Sequence, residues 1–535
     1  MARPSIPAFL RDLDRDPGAV RVLTAACLSL FASGLAPRVM SPGLPSVQSA
    51  VRARPETEVL LLIAVVLSAG MLLVGGALGD ADGRRRIMRW ALIGLVVTGF
   101  AGLVVTDGPL FVAARFIGIA SASIVLPMAL AGVATRYQGI PRATAIGLGY
   151  GAYGAAIAAG PVLLTLFGPT GSRWPAYLAA GVSALVGFGV CRTSWEDLPA
   201  PGREARTGIV AIAAWAFGIV VIIAGVIGFQ GSDADTVRIG FLVIGAGFLI
   251  AGLALGRRRR ATGLPVPVAR RAVVVALFVG FVIAYAQTAA LLQVPLYFML
   301  ILRYEPVWAV VATIPFMAAL VVAGPVAGIL LGRFRPRTLV ALGVLAVGIG
   351  NVLIAFILRP GAAYPGFALS FLLIGAGFVI ATTVRTAIIF ASVPRGLPAT
   401  AAALNEASVS LGSRAALVVV TVLITTLALD SYAASLVGRP TSEITSSVDA
   451  FRQILVAINM PQYGALVDGI GSVDATAYAT AYTDAVRTVL MSTGVVALVA
   501  APIAWLALGR GDPLRTVWEH RDERKTPDAG TTVSA

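Results

Sequence analysis

The chain has 535 residues, of which 58% are hydrophobic and 13% charged, and it carries a formal net charge of +15. An ordinary soluble domain is roughly a quarter charged, so water is not the main solvent of this protein. Nor does the positive charge mark a nucleic-acid partner, because the basic residues form short clusters between apolar runs with no aromatic readers among them.

In chain order, the segment 1–21 is polar, with Asp12, Asp14 and Asp16, and lacks the pattern of a cleavable signal; it reads as a cytoplasmic N-terminal segment. Backbone in hydrocarbon must satisfy its own hydrogen bonds, so each later apolar run near 20 residues predicts a helix crossing a core ~30 Å thick. Six such runs, 22–40, 59–79, 88–105, 110–134, 145–167 and 174–191, make an N-terminal bundle over 22–194. Two inserted spans, 209–227 and 239–255, occupy 207–256 and are joined by a short acidic turn with Asp233 and Asp235. A C-terminal bundle over 272–508 contributes spans 272–296, 308–331, 339–358, 367–390, 401–429 and 486–508, with an external loop at 430–484 and a cytoplasmic tail at 509–535. The fold class is therefore an all-α integral membrane protein with about 14 transmembrane helices.

Lys and Arg near span ends resist translocation, and their distribution places both termini in the cytoplasm of a multi-pass cell-membrane protein. Arg84 to Arg86 with Arg89, and Arg257 to Arg260 with Arg270 and Arg271, then fall on the cytoplasmic side, where membrane lipids with anionic headgroups anchor such clusters. In the external loop, Val448, Phe451, Leu455 and Ile458 recur at helical spacing with Asp449, Arg452 and Gln453 between them. That pattern suits a helix on the outer leaflet, acting either in gating and substrate release or as a packed external cap.

The single histidine, His520, and the single lysine, Lys525, both lie in the tail. A phosphate-loop lysine, a Schiff base, a histidine base and a His-rich zinc site are thus excluded. Cys27 and Cys191 sit inside apolar runs, with neither disulfide nor metal spacing. The expectation is a carrier without cofactor or metal rather than an enzyme.

After the second span the chain reads Gly76-Ala-Leu-Gly-Asp80-Ala-Asp-Gly83-Arg84-Arg85-Arg86. A carboxylate at such a helix end can latch neighbouring helix ends, and the glycines permit close backbone approach. The segment resembles the signature loop of the major facilitator superfamily in Gly76, Asp80, Gly83 and Arg84, with Ala81 where the family usually has a base. A degenerate copy, Gly328-Ile-Leu-Leu-Gly332-Arg333-Phe-Arg335-Pro-Arg337, stands at the matching place in the second half. The resemblance implies two parallel repeats of six spans that support alternating access. Arg115 with Gly118 looks like the family's fourth-span arginine motif, and Gly147, Gly151, Gly154 and Gly160-Pro161 resemble the fifth-span motif of its antiporters, although Leu164 and Thr165 replace the usual glycine pair. Arg173-Trp174, Pro306, Ile314-Pro315, and Asn405 with Gly412 resemble the fourteen-helix drug:proton antiporter branch.

That branch usually carries an aspartate in the first span before a Leu-Pro pair; here Leu44-Pro45 is present, but Ala36 holds the acid's register and Arg38 follows two residues on. Ionisable groups inside a membrane cost ~3 kcal/mol or more unless paired or wet, so they mark function. Of 26 acidic residues only Glu406 falls well inside a predicted span; Glu58, Asp80 and Asp430 sit at span ends. Arg115, Arg385 and Arg414 are the interior cations, and Arg385 lies at a depth where it can pair with Glu406. A positive group in a wet cavity favours anionic or zwitterionic substrates.

Three functions remain open: an exporter of drug-like amphiphiles by proton antiport, with Glu406 carrying the proton; an exporter or flippase for an anionic metabolite or lipid, using Arg115, Arg385 and Arg414; and a transport-inactive scaffold or sensor. Tyr150, Tyr153, Gln287, Gln293 and Tyr297 are candidates to line the cavity, because their spans correspond to cavity-facing helices in the family the chain resembles. Each alone is more often an interhelical hydrogen bond.

Overall fold

An apolar run surrounded by lipid can satisfy its backbone only by closing its own hydrogen bonds, and helix is the only regular structure among the described residues. The computed structural model describes residues 17–39, 70–80, 82–105, 108–167, 174–194, 214, 217–218, 221–222, 234–257, 271–359, 361–393, 397–436, 447–449, 451 and 475–509. The helices are α1 (Pro17–Val39), α2 (Gly70–Asp80), α3 (Arg84–Val104), α4 (Gly108–Arg136), α5 (Gly139–Phe167), α6 (Trp174–Ser194) and α7 (Ala234–Arg257). There follow α8 (Arg271–Leu300), α9 (Pro306–Val311), α10 (Ile314–Leu330), α11 (Pro336–Ile357), α12 (Tyr364–Ser392), α13 (Pro398–Ser435) and α14 (Ala475–Ala507). Ten helices among the described residues are long and apolar enough to cross a membrane.

Thirteen of the fourteen predicted spans fall on helix where the structure describes them, apart from single residues at some ends and a break at 312–313. The other, 209–227, is described at five residues only; there Phe217 packs edge-on against Phe248 of α7 at 4.8 Å between ring centroids. The first part of the second span, Leu44-Pro45, Glu58, Ala81, Arg173, Asp233, Arg258 to Arg270, Arg452, Gln453, Leu455, Ile458, His520 and Lys525 lie outside the described residues.

Two stretches differ most from expectation. The run 308–331 is two helices, α9 and α10, because Pro315 has no N–H to give the preceding turn and starts a new helix instead. The stretch 430–484 loses both ends to helix, since α13 continues to Ser435 and α14 begins at Ala475.

Packing divides the helices into two groups. In the first, α1 contacts α4, α5 and α6, and α3 contacts α4 and α6; in the second, α8 contacts α12, α13 and α14, α11 contacts α12 and α14, and α10 contacts α12. The groups meet where α5 lies on α10 and α12, and α4 on α13. Large apolar side chains such as Trp90, Val104, Val322, Ile250 and Phe356 stand exposed on the outside, which is where a bilayer covers them.

The α5–α10 seam is the tightest of these meetings. A Cβ on Gly147 would come within 2.1 Å of the Gly324 carbonyl oxygen, and one on Gly151 within 3.0 Å of the Val321 oxygen. Without a hydrophobic force between helices in lipid, such backbone contact is what holds the two groups together. Gly147→Val is therefore expected to lower the melting temperature in detergent, since overpacking costs about 1–3 kcal/mol. A melting temperature equal to wild type would show that this seam does not constrain the fold.

Candidate functional site

At the foot of α13, Asp80, Ala399 and Thr400 make a polar contact between the groups. Asp80, the last residue of α2, is buried, and its two carboxylate oxygens accept the backbone N–H groups of Ala399 (3.0 Å) and Thr400 (2.7 Å). The first turn of a helix offers unsatisfied N–H groups and the positive end of its dipole, so a carboxylate there is stabilised twice over. Gly76 makes room for this: a Cβ there would lie 2.7 Å from the Ala399 oxygen. The turn that follows needs Gly83, whose φ of 96° disfavours any side chain. Arg84 then donates to the Ala131 oxygen (3.4 Å) and Thr135 Oγ1 (3.2 Å) at the end of α4, and Arg85 to the Arg192 oxygen (2.6 Å) at the end of α6.

About 9 Å further along α13, six residues at 1.5 Å each, lies a buried polar cluster built across the two groups. Tyr150 of α5 donates its phenol to Glu406 Oε1. Asn405 Nδ2 donates to the same oxygen (2.8 Å) and lies within 3.1 Å of the Tyr150 oxygen and 3.0 Å of Thr386 Oγ1. Arg385 of α12 is completely buried and donates to Ser408 Oγ (3.3 Å). The ion pair expected between Arg385 and Glu406 is not formed: among the described residues the only ion pair is Arg487 with Asp484. Neutral donors hold the Glu406 carboxyl instead, and Arg385 is joined to it only through Ser408 and Asn405, whose backbone oxygen accepts from Ser408 (2.7 Å).

Glu406 also forms part of the wall of a cavity of about 510 Å³, within the range of small-molecule sites. Its charged lining residues are Arg38, Arg414 and Glu406; polar groups come from Ser33, Ser123, Gln287, Thr288, Thr382, Ser410 and Ser413, and flat faces from Tyr153, Phe316 and Phe378. Arg38 donates to the Gly34 oxygen (3.2 Å), and its guanidinium lies 5.9 Å from the centre of the Tyr153 ring. Arg414 Nε donates to Ser410 Oγ (3.1 Å).

Of the residues expected to line the cavity, Tyr150, Tyr153 and Gln287 do and Gln293 and Tyr297 do not; of the charged transport candidates, Arg38, Arg414 and Glu406 line it, and Arg115 and Arg385 lie elsewhere. Gln293 accepts from Tyr482 of α14 (3.2 Å) and Tyr297 is fully buried, because at about 100° per residue they lie about 120° and 80° round α8 from Gln287, on the side opposite the lining residues Thr288 and Leu291. Arg115 lies one turn outside the lining row Ile119, Ala122, Ser123, Leu126 and reaches the Pro37 oxygen at 3.4 Å. Of the fifth-span motif, Gly147, Gly151 and Gly154 face α10, while Gly160 faces Arg38 of α1, with Pro161 following it inside α5. Sequence reading missed Thr386, Ser408, Phe316 and Phe378; none carries a charge, and only the contact across groups gives them meaning.

Comparison with known proteins gives a consistent result. The sequence model of the Major Facilitator Superfamily matches residues 26–417. The chain is similar to the puromycin resistance protein of Streptomyces alboniger, 30% identical over 344 residues that make up 62% of this chain and 66% of that one. It is also similar to the tetracenomycin C resistance and export protein of Streptomyces glaucescens, 27% identical over 360 residues, 66% of this chain and 65% of that one. The matched stretch thus spans just under two thirds of each relative's own length. Among solved structures, a human organic anion transporter superposes with a TM-score of 0.56 at 13% identity, over 91% of this chain and 100% of that one. A proton:xylose symporter gives 0.54 at 15% identity, over 94% and 99%. At such identities the likeness is one of fold.

Proposed function

This chain belongs to the major facilitator superfamily, and on that premise we propose that it is a membrane exporter of drug-like amphiphilic small molecules that exchanges them for protons, with Glu406 as the proton carrier. The observation that carries the reading is the place of Glu406: it is an acid in the cavity wall, deep inside a lipid-embedded bundle, and it is bonded to Tyr150 of the other helix group. An acid so placed can take a proton from one side and give it to the other only if the groups rearrange around it. A bond that crosses between the groups at that acid ties the two events together. The names of the two bacterial relatives, a resistance protein and a resistance and export protein, support export as the direction.

In this reading both termini are cytoplasmic, the Asp80 contact closes the cytoplasmic end, and the cavity belongs to the half nearer the outer face. Substrate from the cytoplasm enters when the Asp80 contact opens. It leaves when Asp80 is rebound, and a proton then returns on Glu406. The cavity suits an amphiphile because apolar and aromatic walls surround a few placed polar groups.

The test uses everted membrane vesicles energised by respiration and a panel of aromatic amphiphiles of positive, negative and zero net charge. At least one is expected to accumulate in the vesicles and to release lumenal protons as it does so. Accumulation without proton release would remove antiport from the proposal; accumulation of none of them would remove export.

A further inference from the structure

Between Arg271 and Arg333 the chain carries two charged residues, Arg303 and Glu305, and both lie in the turn between two apolar spans. Hydrocarbon ends where such a pair begins, so the turn from α8 to α9 sits at the level of the lipid headgroups. It is at the end of the molecule opposite the Asp80 contact, because α12 starts beside it and runs the other way, toward the foot of α13.

The turn has a costly backbone. Arg303 has a φ of 57°, and among the described residues it is the one that adopts a positive φ without being glycine. Glycine takes that conformation freely and arginine does not. What closes the turn is its neighbour: the Tyr304 N–H donates to the Phe298 oxygen at 2.9 Å, and the Tyr304 ring stacks on Phe298 at 5.4 Å between centroids. Glycine at 303 would serve that closure at least as well. An arginine standing where glycine is easier points to a task for its side chain.

Arg303 lines a pocket of about 600 Å³ together with Tyr304, Glu305, Trp308 and Tyr364, the first residue of α12. Phe298 backs the aromatic wall, with Tyr364 at 6.5 Å on its other side. Tyr364 is fixed in turn by donating its phenol to the Ala312 oxygen at the break between α9 and α10 (3.0 Å). Trp308 is 59% exposed, as suits a ring at the membrane surface. Arg303 and Glu305 are both exposed, and among the described residues no salt bridge joins them. A guanidinium offers paired donors to a phosphate, and a carboxylate two residues on can accept from an ammonium.

We propose that this pocket holds the headgroup of phosphatidylethanolamine from the adjoining leaflet. Its phosphate lies on Arg303, its ammonium on Glu305 and against the aromatic rings, and its chains run into the lipid beside Trp308. Phosphatidylglycerol satisfies Arg303 but brings no cation to Glu305, so it is the poorer fit. Neither the central cavity nor Glu406 takes part, and the site stands or falls apart from the antiport reading.

The test is the melting temperature of the purified full-length protein in detergent, since a ligand of the folded state raises it. It is read with phosphatidylethanolamine, with phosphatidylglycerol of the same chains, and with soluble glycerophosphoethanolamine. Phosphatidylethanolamine is expected to raise it at least twice as far as phosphatidylglycerol, and the soluble headgroup to leave it unchanged. Arg303→Gly separates a binding role from a structural one. Glycine relaxes the backbone, so this variant is expected to melt at or above wild type without lipid and yet to lose the preference for phosphatidylethanolamine. Glu305→Gln is expected to lose the preference as well.

Equal shifts from the two lipids in the wild type overturn the proposal, whether or not either variant folds. So does a preference that survives in Arg303→Gly or in Glu305→Gln. A shift from the soluble headgroup that matches the shift from the lipid overturns the membrane as its source.

Discussion

Glu406→Gln is expected to stop substrate-dependent proton release, by on the order of 100-fold or more, while exchange of labelled for unlabelled substrate across the membrane continues. Glutamine has the shape of glutamate, and its amide oxygen can still accept from Tyr150 and Asn405. It has no proton to give up or take on in the accessible pH range. Loss of net transport with retained exchange is therefore the signature of a carrier that can still alternate but has lost its coupling group. Tyr150→Phe is the companion measurement, because it removes the bond from the other helix group and leaves the acid in place. Partial uncoupling is expected there, with protons leaking in the absence of substrate. Proton release in Glu406→Gln vesicles equal to wild type would move the coupling group elsewhere in the chain.

Asp80→Ala carries the second large effect. The substitution leaves the N–H groups of Ala399 and Thr400 without their carboxylate in a buried setting. Hydrogen bonds to a charged group contribute about 1.5–3 kcal/mol each, so the closed arrangement loses about 3 kcal/mol or more. By the usual factor of ten per 1.4 kcal/mol, that shifts the balance between closed and open forms by roughly 100-fold. Transport is expected to fall at least tenfold. Amide hydrogen exchange at 399–403 gives a direct readout: protection there should drop in the variant and leave α11 unaffected. Unchanged exchange at those amides would mean that the contact does not hold the two groups closed.

Much of this was legible in the sequence, and the reasons differ from residue to residue. Glu406 stood out because a bilayer tolerates few acids, so a single one inside a span needed no further context. Asp80 stood out because a carboxylate beside Gly83 and Arg84 has an obvious use at a helix end. Tyr150 could be listed as polar within a span, but nothing local says that its phenol meets an acid 256 residues later. No spacing rule reaches between separate helices. The same limit explains Arg385, whose depth suggested a direct pair with Glu406 and whose guanidinium the fold instead sends to Ser408. Gln293 and Tyr297 are a different kind of miss. Counting turns from Gln287 places both on another face of α8, so the periodicity already held the answer. The break between α9 and α10 was signalled by Ile314-Pro315, yet apolar continuity across it read as one span.

One helix ties these parts into a lever. From foot to middle, α13 offers the amides that Asp80 grips, then Asn405 and Glu406, then Ser410 and Arg414. A rigid rod cannot swing at its base without sweeping its shaft through an arc, so freeing the base must also change where the acid and the guanidinium point. Door and cargo hold are cut from the same beam, and neither can be tuned by mutation along α13 without disturbing the other.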